Sequence, residues 1–171
     1  MHHLTLITTG GTIEKTYDEM TGELTNRMSV VRRMLEQLRL EDTRISIVEL
    51  MQKDSLHMTD ADRTAIVAAV RANAASSDAI VILHGTDTLT ITGEQLLREI
   101  PIPVVPIVLT GAMRPFEMIR SDALQNLTEA IFAAGLLSTT NVPGIYCAAH
   151  GRVLKFPGVK KDRERGTFVR E

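Results

Sequence analysis

This chain of 171 residues has one cysteine, no long apolar run and a net charge close to zero. Cys147 is the only cysteine, so no intrachain disulfide can form, which suits a reducing compartment. No apolar run approaches the ~20 residues that a membrane-spanning helix needs. A strand-like run begins at Leu4, which leaves no room before it for a signal peptide. The net charge of −2 gives no reason to expect nucleic acid or an anionic membrane as a partner. These features predict a cytoplasmic protein that does not bind membranes.

Apolar runs bounded by turn residues alternate with segments of helical period along most of the chain. Five strands are predicted, at Leu4–Thr8, Arg44–Met51, Ala79–Leu83, Val104–Leu109 and Ile145–Ala149. Helices are predicted from Ser29 to Leu38, after a capping box at Thr59–Asp62, from Leu89 to Arg98, and from Ser121 to Ala134. Strands joined by helices imply parallel pairing with right-handed crossovers. The predicted fold class is therefore α/β, a three-layer sandwich with a mainly parallel sheet.

Two segments depart from this pattern. Pro106 falls inside the fourth predicted strand, which predicts an edge position or a bulge because proline cannot donate to a strand ladder. The last segment, Arg152–Glu171, has seven lysines and arginines against three acids and little periodicity. We interpret it as a solvated tail or a short hairpin on the sheet edge. The predicted organisation is one α/β domain, residues 1–150, with a basic C-terminal extension, residues 151–171, packed on it.

The residues that follow the predicted strands are mostly small hydroxyls, glycines and acids. In an open parallel sheet, ligands bind beyond the carboxyl ends of the strands. After the first strand, Gly10 and Gly11 allow a sharp turn that presents N–H groups to an oxyanion, with Thr12 beyond them. Taken alone, this sequence is better interpreted as a tight turn with a cap. Its glycine spacing fits neither common nucleotide-binding pattern.

The third strand is followed by Gly85, Thr86, Asp87 and Thr88. A hydroxyl beside a carboxylate at a strand end is suited to binding an α-amino group and to aligning a water molecule or a proton shuttle. In isolation, capping of the next helix by Asp87 or Thr88 is a strong alternative. The presence of both segments at two strand ends of one chain favours a functional site.

These segments together resemble the signature stretches of the bacterial-type L-asparaginase/glutaminase family. The matching stretches are Thr9–Ile13, His84–Leu89 and Thr110–Pro115, followed by Ser121-Asp122 and Asn126-Leu127. The resemblance runs from Leu4 to about Ala149. It implies that residues 1–150 form the catalytic domain of an amidohydrolase that converts L-asparagine to L-aspartate and ammonia. It implies no cofactor and no metal, and assembly into a homo-oligomer, a dimer or a tetramer.

The resemblance also implies catalytic roles for three residues. Thr12 would attack the side-chain amide carbon and give a β-acyl-enzyme. Tyr17, in the polar stretch Glu14–Arg27, would help to activate Thr12 when that stretch closes as a lid. Thr86 would be the second catalytic threonine, which the family pairs with a lysine. A neutral hydroxyl needs such partners because it is a weak nucleophile.

Substrate binding is implied for a second set of residues. Ser55 would bind the α-carboxylate of asparagine and Asp87 its α-ammonium group. The remaining members of the predicted binding set are Asp54, Gly11 and Gly85. With these anchors alone, little glutaminase activity is expected.

The chain departs from the family pattern at three points. The family lysine is expected near the end of the fourth helix, where this chain has Gly135-Leu136-Leu137. Either Lys155 or a neighbour in the last segment replaces it, or the proton relay works without it. Leu56-His57 stands where many members have Gln-Asp. The family is also about twice this length, and we interpret the chain as a short, one-domain member without the C-terminal domain.

Two other functions remain open. Subunits of tRNA-linked amidotransferases have similar sequences, and the basic extension would then contact RNA, although the small net charge argues against this. A non-catalytic amino-acid-binding module is the second alternative. The retained Thr12, Thr86 and Asp87 argue against it, whereas the missing lysine favours it.

Overall fold

The computed structural model describes all 171 residues. In chain order its elements are β1 (His2–Gly10), β2 (Thr16–Asp18), β3 (Glu23–Thr25), α1 (Val31–Leu35), β4 (Thr43–Lys53), α2 (Asp60–Ala74), β5 (Ala79–Leu83), α3 (Leu89–Glu99), β6 (Ile107–Thr110), α4 (Ala123–Thr139), β7 (Ile145–Ala149), β8 (Arg152–Lys155), β9 (Val159–Asp162) and β10 (Thr167–Arg170). Two short 3-10 helices, Thr12–Glu14 and Ser55–His57, follow β1 and β4. None of the helices is long and apolar enough to cross a membrane.

The central sheet has six strands in the order β4-β1-β5-β6-β7-β8. The first five are parallel, and only β8 runs antiparallel, against β7. Apolar side chains are buried on both faces of the sheet, as the unbroken apolar run of β5 predicts. One core packs β1, β5 and β7 against α1 and α4, and the other packs the opposite face against α2 and α3. The predicted three-layer α/β fold with a mainly parallel sheet is confirmed.

The capping box of α2 is confirmed in full. Thr59 Oγ1 accepts a hydrogen bond from the Asp62 backbone N–H, and the Asp62 carboxylate accepts one from the Thr59 backbone N–H. The same carboxylate binds Lys53 Nζ at 2.7 Å, and these hydrogen bonds lower the Asp62 pKa to about 2. Lys53 is the last residue of β4, so the cap also ties the start of α2 to the carboxyl end of that strand.

The predictions for the fourth strand and for two helices differ from the structure. The predicted edge position of the fourth strand is incorrect, because β6 begins after Pro106 and lies between β5 and β7. Pro106 lies just before β6, so its missing N–H removes no hydrogen bond from the strand ladder. Its carbonyl accepts a hydrogen bond from the Ile80 N–H at 2.9 Å. The helix predicted from Ser29 to Leu38 is shorter, Val31–Leu35, and α4 continues past Ala134 to Thr139.

The last segment continues the same sheet and core. After β8, the chain forms an antiparallel hairpin of β9 and β10. Three buried side chains of this segment, Phe156, Val159 and Phe168, join the core on the α2 and α3 side. The Phe156 ring lies against Gly93 of α3, where an added Cβ would be 2.1 Å from the ring. This packing fixes where the turn between β9 and β10 lies.

Candidate functional site

Glycines bring three strand ends into backbone contact. Gly11 has φ 78° and ψ −178°, and a Cβ at this position would lie 2.4 Å from the Gly85 Cα. A Cβ on Gly111 would lie 2.2 Å from the His84 carbonyl oxygen. No other residue permits such approaches, because any side chain would collide with backbone. The segments after β1, β5 and β6 therefore meet at one edge of the sheet, as the parallel topology requires.

Thr12 begins the 3-10 helix that follows Gly11. Its side chain is half-buried, and its hydroxyl makes no hydrogen bond to another protein group. The turn itself is tightly held, because the Gly11 N–H donates to the Lys53 carbonyl and the Gly11 carbonyl accepts from Asn26 Nδ2. The expectation that these glycines present N–H groups to an oxyanion is wrong in this conformation. The Gly10 N–H is also occupied, by Glu14 Oε2 at 3.0 Å.

Glu14 is a buried carboxyl whose role no sequence pattern indicated. It also accepts a hydrogen bond from Ser29 Oγ. Burial raises the pKa of Glu14 above its usual value, against the opposing effect of its hydrogen bonds from Ser29 and Gly10. Glu14 joins the Gly10 turn to Ser29, in the segment before α1. The polar sequence around Glu14 did not indicate this role.

The stretch Glu14–Arg27 folds as a hairpin of β2 and β3. Tyr17 pairs with Leu24 on this hairpin, and its side chain is 61% exposed. The Tyr17 hydroxyl makes no hydrogen bond, so the structure does not join it to Thr12. Asp18 holds the hairpin turn through hydrogen bonds from Met20 N–H and Thr21 Oγ1. Activation of Thr12 by Tyr17, and closure of the stretch as a lid, stay predictions.

Thr86 and Asp87 share a lysine that reaches them from the C-terminal hairpin. Lys161 Nζ, on β9, lies 2.8 Å from Thr86 Oγ1 and 2.9 Å from Asp87 Oδ1. The Lys161 side chain is only 15% exposed. Arg163 NH1 lies 3.2 Å from the same Asp87 oxygen. A hydroxyl, an amine and a carboxylate thus meet within hydrogen-bond distance, which is an arrangement able to move a proton.

The expected position of the family lysine, near Gly135, is wrong. Gly135 lies beside His2, at the amino end of β1, so no side chain there approaches the strand carboxyl ends. Lys155, the other candidate, has its Nζ 5.7 Å from the centre of the Tyr146 ring instead. The residue that sequence reasoning missed is Lys161. The only signal for it was its place in the last segment, from which a replacement lysine was expected.

Ser55 lies between β4 and the segment after β5. Its hydroxyl is buried and has no hydrogen-bond partner, and a Cβ on Gly85 would lie 2.5 Å from Ser55 Oγ. The Ser55 carbonyl accepts a hydrogen bond from Thr88 Oγ1 at 2.9 Å. A buried hydroxyl without a partner is costly unless something binds it. Ser55 is therefore placed beside Gly85 with its hydrogen-bonding capacity unused.

The Asp54 carboxylate is engaged in hydrogen bonds within the protein. Its carboxylate accepts from the Leu56 N–H at 3.0 Å and from Lys15 Nζ at 2.6 Å. Burial raises the pKa of Asp54, but the hydrogen bonds from Lys15 and Leu56 outweigh burial and hold the pKa below its usual value. This ion pair lies on the wall of an open cavity of about 380 Å³ between the hairpin and the end of β4.

Several neighbouring groups are structural. His84 is fully buried, with Nε2 bonded to Thr92 Oγ1 and Nδ1 to the Gly85 carbonyl, and burial lowers its pKa to about 4, so it is neutral. Asp122 accepts hydrogen bonds from the Met113 and Arg114 N–H groups and so shapes the turn after β6. Burial raises the pKa of Cys147 to about 12, which makes the thiol inert. No group of three or more potential metal-ligating side chains is gathered anywhere.

The fold is that of an α/β protein, and its polar site at the carboxyl edge of a parallel sheet brings together hydroxyl, amine and carboxylate groups. The family model described as "Asparaginase, N-terminal" matches residues 3–167. The chain therefore belongs to the asparaginase family and corresponds to its N-terminal domain. The match extends past residue 150 and includes Lys161.

Relatives and solved structures agree with this family. An L-asparaginase from Thermococcus kodakarensis is 32% identical over 163 residues, covering 95% of this chain and 48% of that protein. A solved structure of the thermostable L-asparaginase from Thermococcus kodakarensis superimposes with a TM-score of 0.84 at 30% identity, covering 98% of this chain and 51% of that one. A probable cytoplasmic L-asparaginase from Campylobacter jejuni gives a TM-score of 0.75 at 25% identity, covering 94% of this chain and 48% of that one.

A different activity appears among the relatives. One subunit of the glutamyl-tRNA(Gln) amidotransferase of Haloquadratum walsbyi is 31% identical over 151 residues, covering 86% of this chain and 33% of that protein. The chain thus spans about half the length of the asparaginases it matches and a third of the amidotransferase polypeptide.

Proposed function

We propose that this chain hydrolyses the side-chain amide of L-asparagine to L-aspartate and ammonia, with Thr12 as the nucleophile. The observation that carries the proposal is the contact between Gly11 and Gly85. This contact sets the Thr12 turn against the segment that bears Thr86 and Asp87. The resemblance to L-asparaginases supports the choice of substrate.

The reaction proceeds through an ester. Thr12 Oγ1 attacks the amide carbon and gives up its proton, the amide nitrogen gains a proton and leaves as ammonia, and the β-acyl group remains on Thr12. Water then attacks the ester carbon, aspartate leaves, and Thr12 recovers its proton. Thr86 and Lys161, 2.8 Å apart, carry protons between the attacking oxygen and the leaving group.

Ser55 and Asp87 anchor the substrate in this proposal. The α-carboxylate of asparagine takes the unused hydroxyl of Ser55, and the α-ammonium group takes the Asp87 carboxylate. Gly11 and Gly85 allow the substrate to approach the backbone closely. Asp54 acts indirectly, by holding the turn that presents Ser55. Tyr17 joins the site only when the β2–β3 hairpin closes.

Replacement of Thr12 tests the mechanism. Thr12→Ala removes the attacking oxygen, so ammonia release from asparagine should fall by at least about a thousandfold, the scale seen when a nucleophile is deleted. Binding of L-aspartate, measured by calorimetry, should persist because the anchors remain. Thr140→Ala, at the exposed end of α4, is the matched control and should behave like the unchanged protein. Turnover by Thr12→Ala near that of the unchanged protein would refute the assignment.

Two other functions have a specific observation behind them. The alternative of an amidotransferase component is favoured by the relative from Haloquadratum walsbyi and requires retention of tRNA by the protein. The binding-module alternative is favoured by the absence of any hydrogen bond to the Thr12 hydroxyl. It requires aspartate binding without ammonia release from asparagine.

The setting of the activity is also proposed. A cytoplasmic location agrees with the single buried cysteine and with the likeness to the probable cytoplasmic L-asparaginase of Campylobacter jejuni. Self-association into a dimer or tetramer is expected because exposed apolar side chains on α4 and β8, namely Phe132, Leu136 and Val153, would be covered by it. Sedimentation at micromolar concentration tests this expectation.

A further inference from the structure

The Asp87 carboxylate pairs with two cationic side chains of the protein itself. Lys161 Nζ and Arg163 NH1 lie 2.9 Å and 3.2 Å from the same oxygen, Oδ1. No other acidic side chain pairs with either cation. The three groups together carry one net positive charge. An incoming α-ammonium group would therefore be a third cation on a single carboxylate, and like charges at such distances repel.

The two cations are held differently. Lys161 is 15% exposed and is also hydrogen-bonded to Thr86, so it is fixed in place. Arg163 is 71% exposed, makes no hydrogen bond, and lies in the turn between β9 and β10. A guanidinium group in that position can swing into water at little cost, because an exposed ion pair contributes little stability. Arg163 is thus the cation that a ligand can displace.

We propose that Arg163 is a specificity-determining residue that competes with the substrate's α-ammonium group for Asp87. This inference rests on the proposed function, because it takes Asp87 as the ammonium site. Arg163 weakens the binding of ligands that carry an α-ammonium group, and it strengthens the binding of dicarboxylates and their monoamides that lack one. The site therefore discriminates less strongly in favour of α-amino substrates than it would with Asp87 free.

Binding of two ligands that differ only in the ammonium group tests the proposal without any need for turnover. L-aspartate and succinate are each titrated calorimetrically into the unchanged protein, Arg163→Gln and Arg165→Gln. Arg165 is the matched control because it lies in the same turn, is 59% exposed, and pairs with Asp162 rather than Asp87. The measured quantity is the ratio of the aspartate and succinate dissociation constants.

Arg163→Gln should lower the aspartate dissociation constant by about two- to fivefold, the range expected for one exposed charge pair. It should leave succinate unchanged or weaker, so the ratio falls, whereas Arg165→Gln should leave the ratio as it is. A ratio that is unchanged in Arg163→Gln, or that falls equally in Arg165→Gln, overturns the inference and leaves the proposed function standing. Failure of the unchanged protein to bind either ligand overturns both.

Discussion

Lys161 is the residue on which the proposed chemistry most depends, because it is the only amine in contact with Thr86. Removing that amine should stop proton movement through Thr86 while leaving Thr12 and the sheet untouched. Lys161→Met should therefore lower kcat for asparagine by about a hundred- to ten-thousandfold, the usual contribution of a positioned proton-transfer group. Ammonia release under saturating asparagine measures this.

Lys160 is the matched control, since it neighbours Lys161 but points to Glu171 and is 61% exposed. Lys160→Met should keep kcat within about twofold, as expected for an exposed ion pair of small energy. Lys161→Arg separates charge from proton transfer, because arginine keeps the charge but does not deprotonate in proteins. Full activity in Lys161→Arg would show that the Lys161 charge, and not its proton, is what matters.

The turn after β1 contacts the segment after β5 through backbone atoms of Gly11 and Gly85. Gly11 combines φ 78° and ψ −178° with a hypothetical Cβ only 2.4 Å from the Gly85 backbone. Gly151 has a similar φ of 76° but nothing within 4 Å of its hypothetical Cβ. Both glycines have a positive φ, and Gly11 is in addition crowded against the Gly85 backbone.

Gly151→Ala should cost about 1–3 kcal/mol, the range for a residue held in a rare backbone conformation. Gly11→Ala should cost more, because the strand ends must also move apart, and it should abolish ammonia release. Denaturant unfolding measures the free energy of unfolding for both variants. Equal destabilisation, with activity retained in Gly11→Ala, would contradict the close contact between the two strand ends.

Elements with a signal in their own residues were predictable from the sequence. Elements whose position depends on packing against residues far along the chain were not. The apolar run of β5 and the hydroxyl–carboxylate spacing at Thr59 and Asp62 each carry their own signal, and both are confirmed. The β9–β10 hairpin is different, since it is placed by Phe168 and Val159 entering the core beside α2 and α3. Nothing within the basic segment indicates that docking.

The same distinction applies to the candidate site. The meeting of the Gly11 and Gly85 segments followed from parallel topology, because carboxyl ends of parallel strands share one edge. Lys161 could not be assigned, because its approach to Thr86 depends on the register and docking of the hairpin. Arg163 was missed for the same reason. The Gly11 N–H donates to the carbonyl of Lys53, far along the chain, and the Gly10 N–H donates to the buried Glu14 carboxyl. The glycine pattern alone reveals neither partner.

The chain spans about half the length of the asparaginases it resembles, and both anchors proposed for the substrate, Ser55 and Asp87, lie within it. A hydrophobic pocket distinguishes asparagine from glutamine, which is one methylene longer, by only about 1–3 kcal/mol. Any stronger discrimination depends on how the α-carboxylate and α-ammonium group are held, because they fix the position of the amide carbon relative to Thr12.

In the proposed site, the ammonium group competes with Arg163 for Asp87, so the α-carbon of either substrate would be loosely anchored. Loose anchoring harms glutamine more, because its longer chain must bring the same amide to Thr12, and misplacement of a reacting group costs rate steeply. The kcat/KM for glutamine should therefore be at least about a hundredfold below that for asparagine, near the upper end of what one methylene accounts for. Steady-state ammonia release with both substrates measures the ratio, and Arg163→Gln should raise kcat/KM for both by removing one of the two cations paired with Asp87. Comparable values for glutamine and asparagine in the unchanged protein would mean that Ser55 and Asp87 are not the groups that position the amide.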